Sequence, residues 1–168
     1  MNIKFDAKCP EEVENSIRSY LEEFYPVVQR WIDKFTVEFE VENEEGFEAA
    51  IIVRREYKNA RLFVTSEYLL LDEKERMHTI AHELAHILTS PLRVETRRIA
   101  EVWVPMETIE YVRGVFDNVE EQVVDDLAKF LVTCLTAKRE SGKLSTPGIT
   151  FTGAYGQIID ADKHGRSD

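Results

Sequence analysis

The stretch His82-Glu83-Leu84-Ala85-His86 carries more chemical information than any other part of this chain. In an α-helix, residues four apart lie one turn apart on the same face, so both imidazoles can reach a single metal ion. The glutamate between them lies beside that ion, where its carboxylate can take a proton from a water molecule. The stretch therefore predicts a metal site with His82 and His86 as ligands and Glu83 as general base.

The residues around this stretch support the helix that it needs. Apolar side chains recur at the helical period on both sides of it. Asp72 and Glu75 have the spacing of a capping box, and Pro91 is expected to end the helix because proline lacks a backbone donor. We therefore predict a helix over residues 73–89.

The N-terminal part of the chain predicts an α+β fold. A helical pattern of apolar side chains begins after Pro10 and extends to Phe35, and Pro26 should kink or split it. Alternating apolar and charged side chains from Thr36 predict a strand. Residues 43–46 should form a turn, and two more strands are expected at about residues 47–56 and 60–65. We expect the N-terminal helix to pack on a small, mostly antiparallel sheet.

Three further helices are expected after the helix with the two histidines. One over residues 95–102 should be followed by a break at Pro105 and then by a short second helix. Asp117 or Asn118 should then cap a final helix that runs to about Lys138 and carries the third metal ligand.

Length and composition suit one cytoplasmic domain. We predict a single domain over residues 1–140 and a loosely ordered tail over residues 141–168. No apolar run suits a membrane helix, and the first residues lack the layout of a signal peptide. The net charge of −11 argues against a nucleic-acid partner. Cys9 and Cys134 lack metal-ligand spacing and are expected to be reduced.

A catalytic zinc ion needs a third protein ligand besides two histidines. The best candidate is Glu121, because a glutamate on a second helix can reach the metal. Asp125 lies one helical turn later, where it can accept a hydrogen bond from the far nitrogen of a ligand histidine. Glu120 has no such partner, since Val124 stands four residues after it.

Glu121 also has a purely structural interpretation. If Asn118 caps the helix, Glu121 is the third helical residue of a capping box. The ligand interpretation is favoured only because the two histidines before it require a third ligand.

The two motifs together resemble those of the gluzincin metallopeptidases, in which His-Glu-x-x-His is followed on another helix by Glu-x-x-x-Asp. The second motif is similar to the Glu-x-x-Ala-Asp/Asn-x-Phe-Ala of the ImmA/IrrE-like peptidases of bacteria, prophages and mobile elements. Glu121, Asp125, Leu127 and Ala128 align with it in register, with Leu127 in place of Phe and Val124 in place of Ala. The resemblance covers roughly residues 60–135 and implies a zincin-like fold.

The resemblance also implies a zinc-dependent peptidase that acts on a specific intracellular protein or peptide. Zn²⁺ would be held by His82, His86 and Glu121, and Glu83 would activate the attacking water. The strand just before the metal helix, at residues 60–65, would form the edge of the cleft and bind the substrate as an added strand.

Two other functions compete with this one. A catalytically silent zincin-like binding module would have the same motifs, with tail residues 150–157 lying across its groove. A SprT-like protease acting near DNA is less favoured, because such enzymes use a third histidine and basic elements, and His164 is the single histidine downstream of the motif.

Further roles stay open from the sequence. Tyr68, Tyr111, Tyr155 and His164 are each chemically able to stabilise an oxyanion, and none is singled out by its position. His78, one turn before the first ligand, is interpreted as a surface histidine.

Overall fold

The computed structural model of the protein describes residues 2–28, 31–40 and 46–141. Contacts divide the chain into two units, Met1–Leu135 and Thr136–Asp168. The residues of the candidate site all belong to the first unit, and the described part of the second unit is helical. The predicted tail over residues 141–168 lies outside the described residues apart from Ser141, and the domain boundary stays a prediction.

The described residues form an α+β fold, as predicted. Among the described helices, none combines the length and the apolar character that a membrane crossing requires. Two short 3-10 turns follow the third and fourth strands. The regular elements are, in chain order, β1 (Asn2–Phe5), α1 (Glu11–Val28), β2 (Lys34–Glu40), β3 (Ala49–Arg54), β4 (Asn59–Thr65), α2 (Glu73–Trp103) and α3 (Met106–Ser141).

The four strands form one mixed sheet in the order β1-β2-β4-β3. The β1–β2 and β2–β4 pairs are parallel, and the β3–β4 pair is antiparallel. The expectation of a mostly antiparallel sheet is therefore wrong. One parallel pair arises from β1, which is too short to show a clear alternation in the sequence, and the other arises because β4 lies directly beside β2. Helix α1 crosses over from β1 to β2, and such a connection makes neighbouring strands parallel.

The sheet edge that contacts α2 is β3. Strand β4 pairs with β2 on one side and with β3 on the other, so it has no free edge. The expectation that residues 60–65 form the edge of a cleft is therefore wrong. The last strand of the chain is inserted between two earlier strands, and sequence order alone does not reveal such an insertion.

Helix α1 is shorter than its apolar pattern predicts. The helix includes Pro26 and ends at Val28, whereas Phe35 belongs to β2. A turn was predicted at residues 43–46, which lie outside the described residues except for Gly46. Gly46 has a φ of 71°, a left-handed conformation that suits glycine.

One apolar core joins the sheet to the helices. Side chains of α1, β2, β4, α2 and the second half of α3 belong to the same buried cluster. Burial of each large apolar side chain contributes about 1.5–3 kcal/mol. The largest fully buried side chains include Tyr68, Phe24, Phe35, Leu62 and Leu84.

Side-chain hydrogen bonds fix the start of α2. Asp72 Oδ1 accepts from the Glu75 backbone N–H at 2.8 Å, and Glu75 Oε2 accepts from the Asp72 backbone N–H at 2.9 Å. The predicted capping box is thus confirmed. Arg76 also donates to two backbone carbonyls of the preceding turn and, at 2.7 Å, to Glu12 of α1. The metal-binding helix is therefore anchored to α1.

Helix α2 continues through Pro91 to Trp103, so the predicted end at residue 89 is wrong. Proline cannot donate to the carbonyl four residues before it, which here belongs to Ile87. Ser90 Oγ donates to that carbonyl at 3.0 Å, and Ser90 is only 3% exposed. Because a side chain replaces the lost backbone donor, the helix does not end. The separate helix predicted over residues 95–102 is the last part of α2.

Helix α3 begins at Met106, directly after Pro105. The predicted break at Pro105 is confirmed. The short separate helix predicted after it is wrong, because those residues form the first part of α3. The caps predicted at Asp117 and Asn118 are also wrong, because both residues lie inside α3. The Asp117 carboxylate accepts instead from Arg97 of α2 at 2.8 Å.

Helices α2 and α3 form an antiparallel hairpin. Near the connection, Arg113 of α3 donates to Glu101 of α2 at 3.0 Å. Contacts farther from the connection join later residues of α3 to earlier residues of α2, down to Asp125 and His82. This pairing brings the predicted metal ligands of the two helices to the same level.

We expect Ser90→Ala to lower the free energy of unfolding by about 1–3 kcal/mol, because it leaves the buried Ile87 carbonyl without a donor. In a Pro91→Ala background, Ser90→Ala should lower the free energy of unfolding by less, since the backbone N–H restored at position 91 can bond to the Ile87 carbonyl. Urea denaturation of wild type, the two single variants and the double variant measures the effect of Ser90→Ala in each background. Equal costs in the two backgrounds would contradict this account of how the helix passes the proline.

Candidate metal centre

Two imidazoles of α2 face α3 one helical turn apart. The rings of His82 and His86 have centroids 5.0 Å apart. Between them, Leu84 and Ala85 are buried, and Leu84 belongs to the apolar core. Packing of the apolar face therefore fixes the rotation of the helix, and with it the direction of both histidines.

Glu121 of α3 meets the two imidazoles. Its Oε2 lies 3.5 Å from His82 Nε2, and its Oε1 lies 3.7 Å from His86 Nε2. One donor atom of each of the three side chains lies within 4.8 Å of the other two. The group can therefore hold a metal ion, and among the described residues it is the one group of this kind. His78 and the two free thiols lie outside it.

The competing structural interpretation of Glu121 is wrong. Because α3 begins at Met106, residue 121 is far from the start of the helix and cannot belong to a capping box. The side chain is 57% exposed, so burial does not hold it in place. The contacts that its carboxylate makes are those with the Nε2 atoms of the two histidines.

Asp125 lies behind His82. Its Oδ1 is 2.9 Å from His82 Nδ1, a hydrogen-bond distance. An imidazole that donates from Nδ1 has its Nε2 lone pair free, and that atom faces Glu121. The contact thus orients the ring for metal binding through Nε2.

Glu120, to which the sequence assigned no role, lies behind His86. Its carboxylate is only 11% exposed and accepts from Thr89 Oγ1 at 3.0 Å. Its other oxygen is 3.7 Å from Arg93 Nε, and Oε1 is 3.8 Å from His86 Nδ1. Thr89 and Arg93 follow His86 by three and seven residues. That helical spacing of polar residues was the signal that could have revealed this contact.

Glu83 is buried although it carries a carboxyl group. It is 7% exposed, and the backbone N–H of Ile51 in β3 donates to it. Burial first, then the nearby Glu121 carboxylate, raises the pKa of Glu83 to about 8. In the metal-free protein this carboxyl group is therefore mostly protonated at neutral pH. It lies between the metal-binding group and the edge strand.

The environment of His86 favours its neutral form. Burial lowers its pKa below the ordinary value, although the Glu121 carboxylate opposes that shift. A neutral imidazole is the form that binds a metal ion. Its protonation state therefore suits the ligand role.

The residues considered for an oxyanion are spread through the molecule. Tyr68 is buried in the core with its hydroxyl 3.2 Å from Ser16 Oγ, and Tyr111 is exposed on α3. Neither belongs to the metal-binding group. Tyr155 and His164 lie outside the described residues, so their expected roles stay predictions.

Comparison of the chain with protein-family models, with curated proteins and with solved structures finds no match in any of the three.

We expect Glu83→Gln to change how the stability of the metal-free protein depends on pH. The pKa of this carboxyl group rises from 4.5 to about 8 on folding, so the folded state binds more protons than the unfolded state between those values. Wild-type stability should fall as the pH rises through that window, whereas glutamine does not titrate. Each pKa unit corresponds to about 1.4 kcal/mol. As the pH rises through this window, the free energy of unfolding of the variant should therefore increase by a few kcal/mol relative to that of wild type.

Urea denaturation with a chelator present, at pH values across this window, measures the difference. Glu22→Gln, at an exposed position of α1, is the matched control, and its difference from wild type should stay nearly constant. A constant difference for Glu83→Gln as well would show that this carboxyl group is not protonated in the fold.

Proposed function

We propose that this protein is a zinc-dependent metallopeptidase with a zincin-like fold. The observation that carries the proposal is the convergence of His82, His86 and Glu121 beside the buried Glu83. Two imidazoles and one carboxylate form the ligand set of a catalytic zinc site, which keeps a fourth position for water. The mixed sheet ahead of the metal-binding helix is compatible with the proposed fold.

The spacing of the donor atoms supports zinc as the metal. A tetrahedral zinc ion lies about 2.0–2.1 Å from nitrogen and oxygen ligands, so its ligand atoms are about 3.4 Å apart. The Glu121 oxygens lie 3.5 and 3.7 Å from the two Nε2 atoms. These distances belong to different oxygens, Oε2 toward His82 and Oε1 toward His86, and one donor atom of each side chain lies within 4.8 Å of the other two. Shifts of about 1 Å would bring the three donor atoms to the spacing of a tetrahedral zinc site.

Glu83 would perform the proton transfers. Zinc, when bound to such a site, polarises a carbonyl group and makes water more acidic. The Glu83 carboxylate would accept a proton from the attacking water and then donate it to the leaving amine. A group that alternates between these states needs a pKa near the working pH, and the environment of Glu83 already raises its pKa.

Strand β3 supports a peptide as the substrate class. In an antiparallel pair, alternate residues bond to the neighbouring strand. The Ile51 N–H bonds to Glu83 and so faces away from β4, and by this alternation Ala49 and Val53 have the same orientation. A peptide that pairs with this edge in extended form would pass beside the general base. A specific intracellular protein as substrate remains an expectation from the resemblance to ImmA/IrrE-like peptidases.

We expect Glu83→Gln to keep about one zinc per chain and to lose peptide cleavage by about 10²–10⁴-fold, because the proton acceptor is removed while the ligands stay. Glu121→Ala should lose both zinc and cleavage. Zinc content is measured by plasma mass spectrometry, and cleavage by mass spectrometry of a mixed peptide library. Asp126→Asn, which removes a charge at an 83% exposed position of the same helix, should change neither.

The outcomes distinguish a metallopeptidase from a catalytically silent binding module. Zinc lost on Glu121→Ala, with no cleavage by zinc-loaded wild type, would favour the silent zincin-like domain. Zinc bound equally by wild type and Glu121→Ala would contradict the assignment of the third ligand.

We expect Val53→Pro to weaken peptide cleavage mainly through a higher KM, with zinc content unchanged. Proline removes an N–H that faces the proposed substrate while sparing the bonds between β3 and β4. Val53→Ala is the matched control, because it removes the side chain and keeps the N–H. Unchanged KM in Val53→Pro, or an equal rise in both variants, would argue against binding of substrate along this edge.

A further inference from the structure

The two ligand histidines differ in how their rings are supported. His82 Nδ1 has a hydrogen-bond partner in Asp125 at 2.9 Å. His86 Nδ1 is buried and has no partner, one of three such side-chain atoms in the described part of the chain. A buried polar nitrogen without a partner costs about 1–3 kcal/mol, so this atom points to an interaction that forms in another state of the site.

Glu120 is the group within reach of this nitrogen. Its Oε1 is 3.8 Å from His86 Nδ1, about 1 Å beyond a hydrogen bond. Thr89 Oγ1 donates to the same oxygen, and Thr89 is itself buried. The carboxylate is thus directed at the histidine by a neighbour on the same face of α2.

We propose that Glu120 is a positioning residue that accepts a hydrogen bond from His86 Nδ1 when the site holds its metal, an inference that rests on the proposed zinc site. Adjacent residues of α3 then have separate tasks: Glu121 faces the Nε2 atoms, and Glu120 faces the Nδ1 atom of one ring. A carboxylate behind a ligand histidine fixes its tautomer and raises its basicity. Glu120 does for His86 what Asp125 does for His82.

A purely structural role is the alternative. Glu120 also lies 3.7 Å from Arg93 Nε, so it could serve only to pair α3 with α2. In that case Arg93→Met should have the same effect as Glu120→Ala. In the proposed role, Arg93→Met leaves the acceptor of His86 in place and should have little effect on metal affinity.

The test is the zinc affinity of the full chain, measured by competition with a chromophoric chelator. Glu120→Ala should bind zinc about 10–100-fold more weakly than wild type. Glu120→Gln, which keeps an acceptor oxygen, should lose much less, and Arg93→Met and Asp126→Asn should stay close to wild type. The glutamine variant keeps the test valid if the alanine variant fails to fold.

A second measurement reports on the ring itself. One-bond ¹H–¹⁵N NMR spectra of the imidazole region of the zinc-loaded protein should show a slowly exchanging Nδ1 proton on His86 in wild type and in Glu120→Gln. The signal should exchange rapidly in Glu120→Ala. A lower melting temperature alone would not produce this change.

The possible failures are distinguishable. No zinc binding by wild type would overturn the proposed function and this inference together. Normal zinc binding by wild type, with unchanged affinity and an unchanged His86 Nδ1 signal in Glu120→Ala, would overturn the role of Glu120 alone. An equal loss of affinity in Arg93→Met would assign Glu120 to helix pairing.

Discussion

The antiparallel pairing of α2 with α3 is the constraint on which the site depends. The helices are joined by Val104 and Pro105 only, so the short connection and the polar contacts along the hairpin set their register. That register brings Glu121 opposite His82 and His86. Each residue of a helix is rotated by about 100° from the next, so a shift of one position would turn the carboxylate away from both imidazoles. The metal-binding group is thus a consequence of helix packing.

The same packing gathers three carboxyl groups around two imidazoles. Glu83 is buried, the Glu120 side chain is 11% exposed, and Glu121 lies at the Nε2 atoms of both histidines. Burial and the nearby Glu121 carboxylate raise the pKa of Glu83 and so disfavour its ionised form. A divalent ion would reverse this balance, because positive charge favours carboxylates. Metal binding and the stability of the hairpin are therefore expected to be coupled. The proposed general base, Glu83, thus lies where its ionisation would depend on the metal.

The chemistry of the site could be predicted from sequence because it depends on helical spacing. Four-residue intervals determine which side chains share a face, and the capping box at Asp72 is equally local. Features that depend on unusual local contacts or distant pairing were not predictable. Helix α2 passes Pro91 only because Ser90 replaces a backbone donor, and β4 is interior only because β3 lies outside it. The contact of Glu120 with Thr89 could not be predicted, because it depends on the long hairpin that brings the two residues together.

The central claim is that two imidazoles and one carboxylate hold a zinc ion. Zinc K-edge X-ray absorption of the zinc-loaded protein tests it most directly, because imidazole ligands give a distinct outer-shell scattering pattern. The account predicts two imidazoles and oxygen ligands at about 2.0–2.1 Å, with one imidazole lost in His86→Ala. A spectrum with sulfur ligands, or with no imidazole scattering, would contradict it.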